Sequence, residues 1–325
     1  MNVVMQNRAS NSAYRDLLLA MMRGRAVEDE IQRVSGHYHP ARGEEGVICG
    51  TFRALAETDV SLPHYRGSII ASLSRGADPR QLIAGLLGKV TGPTRGRQRG
   101  DFVGKFAPNH FGLFSGTLGP SIGYATGSAL AAKLAGSDVA TAVTFGDGTA
   151  NSGLLYESLN MAAMYVLPVV FVCQHNQFAV SMPSSRAIAG GSLSQRAGAF
   201  GMPAIEIDGN DAVAVHTAVS DALARARRGE GPTFIDALTY RISGHWTSDA
   251  SPYRDQSVTE EWRQRDPIDR LAASLVADGL MSADEVEAMK AGAIAEARAA
   301  MAAAQDDPWP DASVIDAADA YASAE

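Results

Sequence analysis

The sequence predicts an α/β protein: a doubly wound, mostly parallel sheet with helical N- and C-terminal extensions. Three observations carry that prediction. Short apolar runs of strand length alternate with helix-length patterned segments through the middle of the chain, which is the signature of βαβ units. A glycine turn, Gly146-Asp147-Gly148, stands at the end of one such run and leads into a helical pattern. Both ends of the chain carry helical periodicity.

Taken in order, Leu17, Leu18, Met21, Met22 and Ile31 recur near helical spacing with charges between them, so residues 1–40 read as a helical extension. From about residue 45 to 90, helical patterns are broken by His64-Tyr65-Arg66-Gly67. A glycine-rich, basic stretch over 91–105 reads as a long irregular loop, and long loops in compact domains tend to be functional. Val139–Phe145 is a buried strand, and Leu155, Leu159, Ala162, Ala163 and Val166 define a helix. Pro168 opens a second strand, VVFVC; Ala204–Ile207 gives a third, Ala212–Arg228 a helix, and Thr233–Tyr240 a fourth strand. Beyond Pro267 the chain is alanine-rich and helical. No internal repeat or dividing linker is present. Residues 41–266 therefore form one α/β domain, and 267–325 form a helical tail.

Composition excludes several classes. With 325 residues, 46% hydrophobic and 20% charged, the chain has material for a large core and is neither disordered nor collagenous. A net charge of −8 argues against broad binding to nucleic acid or anionic membrane. Cys49 and Cys173, the only cysteines, lie in apolar surroundings and suit buried thiols in a reducing, cytoplasmic setting. The opening segment lacks a signal-peptide core, and no apolar run approaches the roughly 20 residues a membrane span needs.

Open α/β sheets bind ligands at the carboxyl ends of their strands, where Gly146-Asp147-Gly148 falls. A dinucleotide site fits poorly. The glycines stand at 146, 148 and 153, and no Asp or Glu occurs between Glu157 and Glu206 to hold an adenosine ribose. A P-loop is also missing, because Gly88-Lys89 is followed by valine. A carboxylate at a phosphate-type site needs a cation between the two anions, and magnesium takes protein and phosphate oxygens together. A second ligand would come from Gln174-His175-Asn176-Gln177 at the next strand's end. The plain alternative is an ordinary strand–turn–helix with a capping asparagine.

The GDG turn, the 29-residue step from Asp147 to Asn176 and the intervening NSGLLYESLNMAAMYVLP resemble thiamine-diphosphate enzymes. The resemblance is closest to the α subunit of the first component of 2-oxo acid dehydrogenase complexes. GEEG at 43–46, HYRGS at 64–68, IDGND at 207–211 and TYRISGHWTSDASPYR at 239–254 support it, over roughly residues 12 to 310. GEEG, GRQ at 96–98, IDGND and TSDASPYR lean towards the branched-chain type rather than the pyruvate type.

The resemblance implies a thiamine-diphosphate-binding fold with Mg2+ held by Asp147, Asn176 and the backbone carbonyl of Phe178. It places the diphosphate near Gly148 and Thr149, with Tyr65 and Arg66 touching it, and Gly116 and Leu118 at the aminopyrimidine end. It implies that His245 moves protons near the reactive centre, for which a transition near pH 6.5 would suit it. His39, a second catalytic candidate, matches a position that is histidine in pyruvate-type relatives and apolar in branched-chain ones. A β subunit would supply the activating glutamate in an α2β2 heterotetramer, and a lipoyl acyltransferase would accept the acyl group cut from a 2-oxo acid.

Two departures stand out. Gln174 and His175 replace the Glu or Arg and the Asn usual before Asn176, so the diphosphate grip is expected to weaken or to fall to Arg66. Trp246 follows His245 where animal relatives carry a regulatory phosphoserine, so that control is expected to be absent. These departures motivate a second reading, an acetoin-type dehydrogenase or acyloin-forming carboligase. A third is a serine hydrolase, from Gly119-Pro120-Ser121-Ile122-Gly123 with Asp208 or Asp236 and His245. A fourth is a non-catalytic scaffold, against which the set Asp147, Asn176, Tyr65, Arg66 and His245 counts.

Overall fold

A computed structural model describes residues 3–97, 109–112, 118–190 and 192–311. The first half runs α1 (Val3–Val34), α2 (Glu45–Arg53), β1 (Val60–Leu62), α3 (Ser68–Ser74), α4 (Pro79–Leu87), α5 (Pro120–Leu134), β2 (Thr141–Gly146), a 3-10 turn (Asp147–Asn151), α6 (Gly153–Met164) and β3 (Val169–His175). The second half runs β4 (Phe178–Ala179), β5 (Met182–Pro183), α7 (Ser184–Ala187), α8 (Leu193–Gly198), β6 (Ala204–Asp208), α9 (Ala212–Arg227), β7 (Thr233–Leu238), α10 (Gln256–Arg263), α11 (Pro267–Ala277) and α12 (Ala283–Asp306).

Strands β1-β2-β3-β7-β6 form one sheet in which every neighbouring pair is parallel. Residues of β3 alternate between two cores. Val170 and Val172 join one with α1 to α4, α9, α11 and α12; Val169, Phe171 and Cys173 join the other with α5, α6 and α8. That period of two, with both faces covered, is why β2 and β3 read as continuous apolar runs. The doubly wound α/β class expected from sequence is the one observed. No helix among the described residues is long and apolar enough to cross a membrane.

The helical ends belong to the first core. Leu17, Leu18, Met21, Met22 and Ile31 are all buried there beside Ala293, Ala297 and Met301 of α12. Arg23 of α1 grips Glu296 with two hydrogen bonds of 2.7 and 2.5 Å. A capping box of Ser282 and Glu285 starts α12, satisfying amides that a helix leaves open. At the end of α12, Lys89 Nζ donates to the carbonyls of Gln305 and Asp307 at 2.9 and 2.8 Å, tying that end to the segment just after α4.

Strand β1 and the β4–β5 hairpin have no counterpart in the sequence reading. At three and two residues, they are too short to show periodicity. Of the loop expected over 91–105, residues 98–105 lie outside the described residues.

His110 sits at the β1 edge, fully buried, with Ser61 Oγ 2.8 Å from Nδ1 and Ser72 Oγ 3.0 Å from Nε2. Burial and then the charge of Arg75 push its pKa down to about 3. An unfolded histidine takes a proton near 6.5, so this stability is whole above that pH and drains as pH falls. Between pH 7 and pH 5, His110 is expected to cost about 2 kcal/mol of folding free energy. Urea unfolding at both values checks it. A His110→Gln variant whose stability falls as steeply with acid would contradict it.

Candidate active site

Parallel pairing sets the site. Gly146, the last residue of β2, lies beside Gln174 in β3, so Asp147 and Asn176 leave neighbouring strands at one edge of the sheet. Asp147 Oδ1 accepts the Gly148 amide at 3.0 Å, while its buried Oδ2 has no hydrogen-bond partner. Burial, partly offset by His175, pushes the Asp147 pKa up to about 6. A cation at Oδ2 would reverse that penalty. Asn176 Oδ1 accepts the Phe178 amide at 3.2 Å, which folds the β4–β5 hairpin back towards the 3-10 turn. A methyl group at Gly148 would lie 2.9 Å from Ala179 Cβ and 3.7 Å from Leu118, so only glycine permits this approach.

Among the described residues no three His, Cys, Asp or Glu side chains form a metal cluster. A carboxylate with an open oxygen and an amide oxygen on the neighbouring strand end make a hard, sparse donor set. Such a set suits Mg2+ that shares its shell with phosphate, and the residues fit Mg2+ with a diphosphate. Asp147 and Thr149 are buried, and Gly148 is the second residue of the 3-10 turn that precedes α6.

Tyr65, Arg66, His39 and His245 gather into a second group. Arg66 is 1% exposed; Nη1 donates to the Pro40 carbonyl at 3.0 Å, and Nη2 lies 3.0 Å from both His245 Nδ1 and the His245 carbonyl. A guanidinium only donates, so His245 Nδ1 accepts and its proton sits on Nε2. Asp249 Oδ2 takes the His245 amide at 2.6 Å and the Tyr253 hydroxyl at 2.5 Å. The His39 ring stands 4.9 Å from His245 and 5.1 Å from Tyr65, edge to face. Trp246 lies 5.5 Å from His245 and 6.2 Å from His37.

The expected His245 transition near pH 6.5 needs correction. Burial, Arg66 and His39 push its pKa down to about 3, leaving a neutral ring with a fixed tautomer. Sequence reasoning could not see this, because Arg66 is 179 residues away.

Sequence reasoning also passed over Glu44 and Arg241, both inside quoted motifs. Glu44 is fully buried at the start of α2. Its Oε1 accepts Asn176 Nδ2 at 3.0 Å, its Oε2 accepts Gln174 Nε2 at 3.1 Å, and Arg66 Nε lies 3.7 Å away. Burial outweighs Arg66 and the two amides, and its pKa rises to about 7. Gln174 Oε1 is left buried and unpartnered. The motifs GEEG and IDGND meet here: a methyl group at Gly46 would lie 2.6 Å from the Gly209 carbonyl, so α2 can seat Glu44 against the sheet edge. Arg241, also buried, donates to the Val180 carbonyl and the Tyr253 hydroxyl at 2.7 and 2.8 Å. The available signal was a charged residue inside an apolar, glycine-flanked run.

Gly116 lies outside the described residues. The serine-hydrolase set is not assembled. Ser121 lies in the first turn of α5, Asp208 pairs with Arg270 at 2.9 Å, and Asp236 pairs with His175 at 3.0 Å. His175 Nε2 lies 3.3 Å from Ser184 Oγ, a contact from β3 to the start of α7.

One end of the parallel sheet of this α/β protein gathers a carboxylate with an open oxygen, an amide oxygen and a buried arginine. The Dehydrogenase E1 component family model matches residues 13–313. The pyruvate dehydrogenase E1 component subunit alpha of Porphyra purpurea is 34% identical over 315 residues, covering 93% of this chain and 90% of its own. The 2-oxoisovalerate dehydrogenase subunit alpha of Bacillus subtilis (strain 168) is 36% identical, covering 76% and 74%. The 3-methyl-2-oxobutanoate dehydrogenase subunit alpha of Mycobacterium tuberculosis (strain ATCC 25618 / H37Rv) is 38% identical, covering 75% and 64%. The chain belongs to the dehydrogenase E1 component family and is of its α-subunit type.

Proposed function

We propose that this chain is the α subunit of a thiamine-diphosphate- and Mg2+-dependent 2-oxo acid dehydrogenase. In this reading it works with a β subunit in an α2β2 assembly in the cytoplasm and passes an acyl group to a lipoyl acyltransferase. The carrying observation is the buried, unpartnered Asp147 Oδ2 on the strand end paired with the one that leads to Asn176, with Arg66 and His245 joined to Asn176 through Glu44. GEEG, IDGND and TSDASPYR favour a branched-chain 2-oxo acid over pyruvate.

Asp147, Asn176 and the Phe178 carbonyl would hold Mg2+, and Tyr65 and Arg66 the diphosphate, with Leu118 near the aminopyrimidine end. When bound, thiamine diphosphate supplies an electron sink for the pair released by decarboxylation. His245 presents Nε2–H as a donor to oxygen charge that develops in the site, since Arg66 holds Nδ1. His39 orients that ring by edge-to-face contact. The resemblance to this family assigns the activating glutamate to the β partner.

Calorimetry on the co-expressed α–β pair is expected to show thiamine diphosphate binding that requires Mg2+. Steady-state assays are expected to show 2-oxo acid decarboxylation that requires both subunits. No Mg2+-dependent binding would end this reading. Trp246 at 5.5 Å from His245 favours one alternative, an acetoin-type or acyloin-forming reaction. Acyloin product from 2-oxo acid without any lipoyl acceptor would select it.

A further inference from the structure

We propose that Glu44 is the positioning residue that orients the Asn176 amide for metal binding and joins the metal side of the site to Arg66. The proposal rests on the reading above that Asn176 holds Mg2+.

Both Glu44 oxygens act as acceptors, Oε1 for Asn176 and Oε2 for Gln174, whereas an amide can show a neighbour either its oxygen or its nitrogen. Asn176 therefore must turn Nδ2 towards Glu44 Oε1, where it sits at 3.0 Å. That choice commits Oδ1 to the opposite side, where the Phe178 amide meets it at 3.2 Å. The Phe178 amide and the Asn176 oxygen are thereby held together, which seats the β4–β5 hairpin against the end of β3. Gln174 obeys the same rule through Oε2.

The same carboxylate faces Arg66 Nε at 3.7 Å, and Arg66 Nη2 reaches His245 Nδ1 at 3.0 Å. One buried carboxyl group at the start of α2 thus touches the end of β3 and the loop before α3. Through Arg66 it reaches the loop that carries His245. A glutamine here could not dictate the Asn176 orientation, because it would offer a donor as readily as an acceptor. Outer-shell partners of metal ligands act in this way, fixing which atom faces the ion. The role is separable from fold support: α2 is already held by the Arg25–Glu45 ion pair at 2.7 Å and by Gly46 against Gly209.

The test uses the α–β assembly with thiamine diphosphate and Mn2+ as a spin-visible substitute for Mg2+, followed by electron paramagnetic resonance. Glu44→Gln is expected to weaken Mn2+ binding about 10- to 100-fold. Asn176→Asp in the native background, which sets two buried carboxylates together, is expected to weaken it at least as much. The double variant Glu44→Gln/Asn176→Asp reverses the polarity of the hydrogen bond and still turns an oxygen outward. It is expected to recover to within about tenfold of the native protein. A purely structural Glu44 would lower thermal stability in both backgrounds and give no recovery. Native-like Mn2+ affinity in Glu44→Gln, or a double variant no better than Asn176→Asp, overturns the proposal. If Glu44→Gln does not assemble, the double variant compared with Asn176→Asp decides alone. Absence of Mn2+ binding by the native assembly would instead sink the functional reading, and this inference with it.

Discussion

Asp147→Asn is expected to abolish Mg2+-dependent retention of thiamine diphosphate while making the ligand-free chain more stable. The two effects share one cause. Asp147 carries a buried oxygen with no partner, which is useful to a cation and costly without one. Asparagine keeps the shape and removes the charge, so metal affinity should fall by more than the roughly 10- to 100-fold typical of losing an outer-shell partner. The stability sign follows from the pKa, raised by burial from 3.8 to about 6. A carboxyl group raised in the folded state stabilises below its unfolded value, and that contribution is lost as pH rises through 6. At pH 8 the ligand-free native chain therefore carries the full penalty, and Asp147→Asn should gain up to about 3 kcal/mol. Urea unfolding at pH 8 without ligands and calorimetry with them measure the two halves. A variant that binds the cofactor normally, or that is less stable when empty, would refute the assignment. Opposed changes in stability and function are expected where a binding site stores unfavourable burial.

How much of this was legible in the sequence follows the range of the physics involved. Strand ends and the step between them are local properties of a βαβ unit, so Asp147 and Asn176 could be placed before any coordinates. Patterned helices were equally readable, because Leu17 and Ile31 declare a buried face through spacing alone. Strand β1 was not, since Val60–Leu62 is defined only by its pairing with Thr141–Val143. Glu44 was quoted within GEEG without a role, because its partners Asn176 and Arg66 come from distant segments. The protonation state of His245 failed for the same reason. A histidine read alone titrates near 6.5, and only the folded chain sets Arg66 against it. Trp246 was read as the residue that follows His245, and its ring stands 5.5 Å from that histidine. Its contact with His37 was not foreseen, because no local spacing links them.

Arg66→Gln is expected to cost at least a hundredfold in activity, and its pH behaviour identifies why. Arg66 offers donors to Pro40 and His245 while facing Glu44, a fork that a single ammonium cannot reproduce, so Arg66→Lys should recover little. Removing the guanidinium leaves Glu44 buried without its principal cation. Breaking a buried pair in this way costs about 3 kcal/mol or more. Glu44 already sits at about 7 because burial outweighs Arg66, and losing Arg66 raises it further. A raised carboxyl destabilises the fold as pH rises, so the variant's stability deficit should be larger at pH 8 than at pH 6. His245 moves the opposite way. Arg66 is the second cause, after burial, of its depressed pKa, so without Arg66 the ring should take a proton more readily. The residual activity of Arg66→Gln is therefore expected to fall on the acid side, at a pH where the native enzyme shows no such limb. Urea unfolding at the two pH values and kcat/KM across pH 5 to 9 provide the check. A variant with native stability at pH 8 and a native pH profile would show that Arg66 neither balances Glu44 nor holds His245 neutral.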